Sequence, residues 1–170
     1  EYTGQNKAFR FPPQLRFNNN ADQLLLSDKY IYALTSGIKL TTIEKATGRV
    51  INDELRKKDR LNQAYCIYRS RSGKILLGRS DGLYELRGER QVKLDLGKRV
   101  KVHSIAENSE GELILGTENR FLFLKEFKIV REQVPRYQKK SSTFLLGGEK
   151  SINKISSDDF GRIWFTSFPD

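Results

Sequence analysis

Three apolar triplets sit in one local frame along this chain. Ile75-Leu76-Leu77 follows Gly73-Lys74, Leu113-Ile114-Leu115 follows Gly111-Glu112, and Ile163-Trp164-Phe165 follows Gly161-Arg162. A continuous apolar run this short fits a strand covered on both faces better than one with a wet side. The leading glycine suits a tight turn that needs positive φ. A small residue ends each run, at Gly78, Gly116 and Thr166, where it lets a neighbouring backbone come close. Ser80-Asp81-Gly82 then reads as a second turn and Leu83 to Leu86 as a further strand.

The frame is a repeat. Residues 111–124 lie over 73–86 without a gap, 161–167 open the same pattern, and 28–40 form a degenerate copy with Asp28 in the glycine position and Ala33 in the small one. The anchors at 28, 73, 111 and 161 are 45, 38 and 50 residues apart. A strand-rich unit of roughly 40 to 50 residues points to a propeller or a related array. The expected fold is all-β, built of four-stranded antiparallel meanders, with about three and a fraction blades present. Blades are expected at 24–62, 63–100, 101–150 and a truncated 151–170, after an extended N-terminal segment at 1–23. Ala46-Thr47-Gly48 reads as an outer hairpin, and the polar stretch 52–63 as a connection with room for a helical turn.

Composition adds bounds. Hydrophobic residues make up 37% and charged residues 31% of 170, which suits a polar globular protein. No run approaches the roughly 18 apolar residues of a membrane span. The net charge of +10 is spread over turns and outer positions and accompanies no recognition motif, so nucleic acid is not an expected partner. The single cysteine, Cys66, excludes an internal disulfide and reads as a small buried hydrophobe. The chain has no Met, begins at Glu1 and stops inside a repeat. It is expected to be a piece of a larger protein.

Candidate chemistry is sparse. His103 is the one imidazole, which argues against an acid–base site, and its expected role is structural. No His, Cys or carboxylate cluster has metal-ligand spacing, and no phosphate loop joins a strand to a helix. No cofactor is expected. Asp158-Asp159, the one vicinal acidic pair beside a turn glycine, is expected to cap that turn through a side-chain oxygen. Trp164 falls in a buried column and is expected in the core.

Residues 152–166, Ile-Asn-Lys-Ile-Ser-Ser-Asp-Asp-Phe-Gly-Arg-Ile-Trp-Phe-Thr, resemble the two-component regulator propeller repeat. Its pattern is an apolar strand, an acidic residue, a turn glycine, an apolar strand with Trp, then Gly-Thr and Gly-Leu-Tyr. Gly116-Thr117 and Gly82-Leu83-Tyr84 supply the last two parts. The match departs at Arg120, which stands where the second turn glycine belongs, and the 24–50 copy reads nearly as well as a quinoprotein-type blade. The resemblance implies part of a seven-bladed propeller in the periplasmic or extracellular sensor region of a hybrid histidine kinase in the bacterial envelope. It further implies a non-catalytic role, recognition of glycan fragments, and signalling to a kinase elsewhere in the polypeptide. The partners implied are an oligosaccharide or other small polar ligand, the remaining blades and signalling domains, and a second copy as a homodimer. A membrane enters only through an anchor elsewhere in the parent chain.

Propeller ligands usually meet the channel at one face. Gln63, Tyr65, Lys101, His103 and Asn153 are therefore the candidate ligand-binding residues, with Arg79, Ser80 and Asp81 from the adjoining turn. Two other readings stay open: a secreted or cell-surface propeller that scaffolds protein–protein contacts, and a propeller lyase or quinoprotein-like enzyme.

Overall fold

The computed structural model describes residues 21–35, 39–53, 63–135, 150–158 and 160–169. Residues 1–20 of the extended segment expected at 1–23, residues 54–62 of the connection expected at 52–63, and residues 136–149 lie outside the described residues. Residues 21–23 instead open the first strand, and Asn52 and Asp53 close the fourth. The first sheet runs β1 (Ala21–Leu26), β2 (Tyr30–Thr35), β3 (Lys39–Glu44) and β4 (Val50–Asp53). The second runs β5 (Ala64–Arg69), β6 (Ile75–Arg79), β7 (Gly82–Arg87) and β8 (Arg90–Lys93). The third runs β9 (Ser104–Glu107), β10 (Leu113–Gly116), β11 (Phe121–Lys125) and β12 (Lys128–Gln133). β13 (Lys150–Ser157) and β14 (Ile163–Pro169) form a two-stranded sheet. Every pairing is antiparallel and sequential, so each sheet is a meander. No helix occurs among the described residues.

One device builds the turn between the first two strands of three sheets. Gly73, Gly111 and Gly161 take φ of 82°, 78° and 77°, the left-handed region that a Cβ disfavours. Three residues earlier, a side-chain oxygen accepts a backbone N–H. Ser70 Oγ takes that of Lys74 at 3.1 Å, Asn108 Oδ1 that of Glu112 at 2.9 Å, and Asp158 Oδ1 that of Arg162 at 2.9 Å. Asp158 Oδ1 also accepts from the Phe160 N–H at 3.0 Å, as its place before the glycine leads one to expect.

The sheets stack face to face, which is why β6 and β10 are buried along their whole length. Tyr30, Tyr32, Leu34 and Leu40 of the first sheet meet Ala64, Ile75, Leu77 and Leu86 of the second. The second sheet's other face, with Cys66, Leu76 and Leu83, meets Ile105, Leu113, Leu115, Leu122 and Leu124 of the third. Ala106, Ile114, Phe121 and Phe123 then face Ile152 and Ile155. Ile75, Leu76 and Leu77 thus alternate between two interfaces, and burial of both sets supplies the main driving force of the fold. Cys66 is buried, and that burial pushes its thiol up to about 12, leaving it an inert hydrophobe.

Trp164 departs from expectation. It is 59% exposed, although it shares the column of Leu76 and Ile114. The face carrying that column is covered by the following sheet in those two cases. Among the described residues, no sheet follows β14. Its indole N–H instead donates to Asp158 Oδ2 at 3.1 Å.

The small column works by close approach. A Cβ on Gly78 would lie 2.7 Å from the Val102 carbonyl oxygen, and one on Gly116 2.9 Å from that of Ile152. Those approaches let the Val102 N–H donate to the Arg79 carbonyl at 2.9 Å and the Ile152 N–H to that of Thr117 at 3.0 Å. Ser104 Oγ adds a bond to the Ile152 carbonyl at 2.9 Å. The second and third sheets, and the third and fourth, are therefore tied from the end of a second strand to the start of the next sheet's first strand.

Candidate functional site

The first strand of each sheet starts irregularly. Register slips between Ala21 and Gln23, Ala64 and Cys66, and Ile152 and Lys154 leave Asp22, Tyr65 and Asn153 unpaired. In the third sheet the corresponding residue, His103, lies just ahead of β9 and donates its backbone N–H to Gly116 at 2.8 Å. A bulge re-aims the side chain it carries. One residue per sheet is thereby set apart from the strand ladder at the same end of the stack.

The structure brings three of the sequence candidates together there. Tyr65 Oη donates to Gln63 Oε1 at 3.0 Å. The Tyr65 and His103 rings lie 4.7 Å apart between centroids and are tilted by 40°, a favourable aromatic arrangement. The Gln63 carbonyl accepts the Ser80 N–H at 2.9 Å, so the turn after β6 is fixed to the same rim. Lys101 forms an ion pair with Glu118. Asn153 occupies the matching bulge of β13 and is half-buried.

The side chains of Arg79 and Asp81 enter a polar network of the second sheet. Arg79 is only 3% exposed. Its Nη2 donates to Gln91 Oε1 at 2.7 Å and its guanidinium lies 5.6 Å from the Tyr84 ring centre. Asp81 Oδ2 accepts from Tyr84 Oη at 2.8 Å and from Lys93 Nζ at 2.9 Å. Burial pushes the Asp81 carboxyl up, but the bonds from Lys93 and Tyr84 outweigh it and hold the group below its ordinary value. Lys93 is raised in turn by its bond to Asp81. Asp81 Oδ1 is buried and makes no hydrogen bond among the described residues.

Sequence reasoning missed Tyr84, Gln91, Lys93 and Glu118. Glu118 was legible, since it lies over Ser80 when 111–124 is placed on 73–86. The other three sit on outer strands, and nothing in their spacing shows that they turn inward to Arg79 and Asp81. Among the described residues, no three His, Cys, Asp or Glu side chains cluster in a way that would hold a metal.

No protein-family profile matches the sequence, and no curated protein matches it. Solved structures do match its fold. One is the extracellular domain of the hybrid two-component system BT3049 of B. thetaiotaomicron, at TM-score 0.60 and 20% identity over 87% of this chain and 19% of that one. Another is the extracellular domain of the hybrid two-component system BT4673 of the same organism, at TM-score 0.63 and 16% identity over 92% and 21%. A third is regucalcin, a calcium-binding protein of Agrobacterium tumefaciens, at TM-score 0.55 and 17% identity over 89% and 54%. The chain is a run of β-propeller blades. It spans about a fifth of the length of the two Bacteroides domains. In the propeller frame, the Gln63–Tyr65–His103 rim lies where the innermost strands begin.

Proposed function

We propose that this chain is part of a periplasmic or extracellular sensor propeller that binds a glycan-derived or similar small polar ligand at the Tyr65–His103 rim. The signal then passes to a histidine kinase elsewhere in the same polypeptide. The observation that carries this reading is the fold shared, over most of the chain, with extracellular domains of two-component systems. The rim supports the ligand class. A tilted aromatic pair beside the Gln63 amide offers the stacking face and hydrogen bonds that a sugar ring needs. The reading assigns this chain no catalytic residue.

The test is calorimetric titration of neutral and acidic oligosaccharides against the whole polypeptide and its Tyr65→Ala variant. The expected result is saturable binding that weakens about tenfold or more in the variant, roughly the loss of one good ring contact. Binding that Tyr65→Ala leaves unchanged would overturn the assignment of the rim.

A further inference from the structure

At the end of the stack opposite the rim, the junctions of the first with the second sheet and of the second with the third are notches walled by three turns. The junction of the second and third sheets is bounded by the turns around 70–74, 107–113 and 126–127. That of the first and second is bounded by the turns around 27–30, 72–75 and 85–88. Lys29 occupies in the first notch the repeat position that Lys74 occupies in the second.

The chain fills the second notch itself. Phe127, at φ 62°, packs against the core between these sheets. Lys74 Nζ lies 4.5 Å from its ring centre, and a space of about 140 Å³ remains. In the first notch the matching turn is Gly88-Glu89, where Glu89, in the turn position of Phe127, is exposed. No side chain enters from that turn, and a cleft of about 400 Å³ stays open. This volume lies within the range of small-molecule sites, roughly 300–1,000 Å³. Tyr30, Tyr32 and Leu86 form its apolar wall, and Lys29 and Lys74 stand at its edge.

We infer that the cleft between the first two sheets binds a small aromatic carboxylate, whose ring takes the place that Phe127 takes one junction further on. The apolar wall and the Phe127 precedent select a flat ring, and a lysine over the ring is already realised in the neighbouring notch. The two ammonium groups select the carboxylate. Glu85 also lines the cleft, but Arg87 holds it at 2.7 Å. Asp28 is the further acidic group of the lining, and Lys29 lies 3.8 Å from Glu44. This site stands independently of the rim.

The test uses the full chain with phenylacetate and its neutral amide, phenylacetamide, as probes in saturation-transfer NMR titrations. Phenylacetate is expected to bind saturably. Glu89→Phe, which puts a ring at the turn position that Phe127 holds one junction further on, is expected to abolish binding of both probes. Lys29→Gln, at an exposed side chain, is expected to weaken phenylacetate about tenfold, the worth of one charge-assisted contact, and to leave phenylacetamide unchanged. Tyr65→Ala, at the other end, is expected to change neither. The inference is overturned if phenylacetate fails to saturate the unaltered chain, if a folded Glu89→Phe variant binds like it, or if Lys29→Gln weakens both probes equally.

Discussion

Glu126 and Phe127 hold the left-handed conformation that a two-residue hairpin of this twist demands, at φ 51° and 62°, in a turn where Asn-Gly is the usual choice. The two have different reasons to stay. Phe127 is anchored by the core beneath it and by Lys74, whereas Glu126 is exposed. Glu126→Gly is therefore expected to stabilise the fold by about 1 kcal/mol, and Phe127→Ala to destabilise it. Urea denaturation of the two variants checks both signs. Gly78 is the opposite case: Gly78→Ala drives a methyl against the Val102 carbonyl and is expected to cost about 1–3 kcal/mol, read from the same curves. At Asp81 the folded carboxyl is depressed by Lys93 and Tyr84 against its burial. Its contribution to stability is thus complete above the unfolded value, about 4, and is lost as pH falls through that value toward the folded one. Asp81→Asn is expected to flatten the acid side of the stability–pH curve, and an unaltered acid limb would show that the Lys93 and Tyr84 bonds do not act as described.

At the scale of an element, the turn glycines, the doubly buried strands and the small column were all legible, because each is a backbone requirement that only certain side chains meet. A capping acid was legible in the pair Asp158-Asp159, though not which of the two would act, and not at all at Ser70 or Asn108, where the same bond is made by residues common in any loop. Asn108→Ala, which strips the Glu110 and Glu112 N–H groups of their acceptor, is expected to cost about 1 kcal/mol, measured by thermal unfolding. Trp164 was misread because its strand has the pattern of a covered one, and cover comes from a neighbouring sheet rather than from the strand. Arg79 was chosen as a turn residue open to ligand and is instead a buried strap to Gln91. A single arginine at a strand end carries no mark of which way it points.

For the molecule as a whole, stability should grade across each sheet. The second strands β6 and β10 are buried along their length, while the fourth strands β8 and β12 are half-buried or exposed. Amide exchange should be slowest at Leu76, Leu77, Ile114 and Leu115 and faster along β8 and β12. Uniform protection across the four strands of these sheets would contradict this grading. The rim was legible as a set of columns, because a repeat places one residue of each copy at the same height. The notches at the opposite end were not, since they depend on which turn happens to carry a ring.

The glycines at 78 and 116 also govern shape. With no side chain there, the second strand of one sheet nearly touches the start of the next sheet's first strand, while at the third strands the sheets are held apart by rings and leucines such as Tyr84, Leu86, Phe123 and Leu124. Each unit is therefore tapered like the stone of an arch, thin at the axis and thick at the circumference. Stacking such wedges cannot give a straight column; it turns through a fixed angle with every copy. The width of one residue per repeat thus sets the curvature of the assembly, and with it the number of units a full circle can hold.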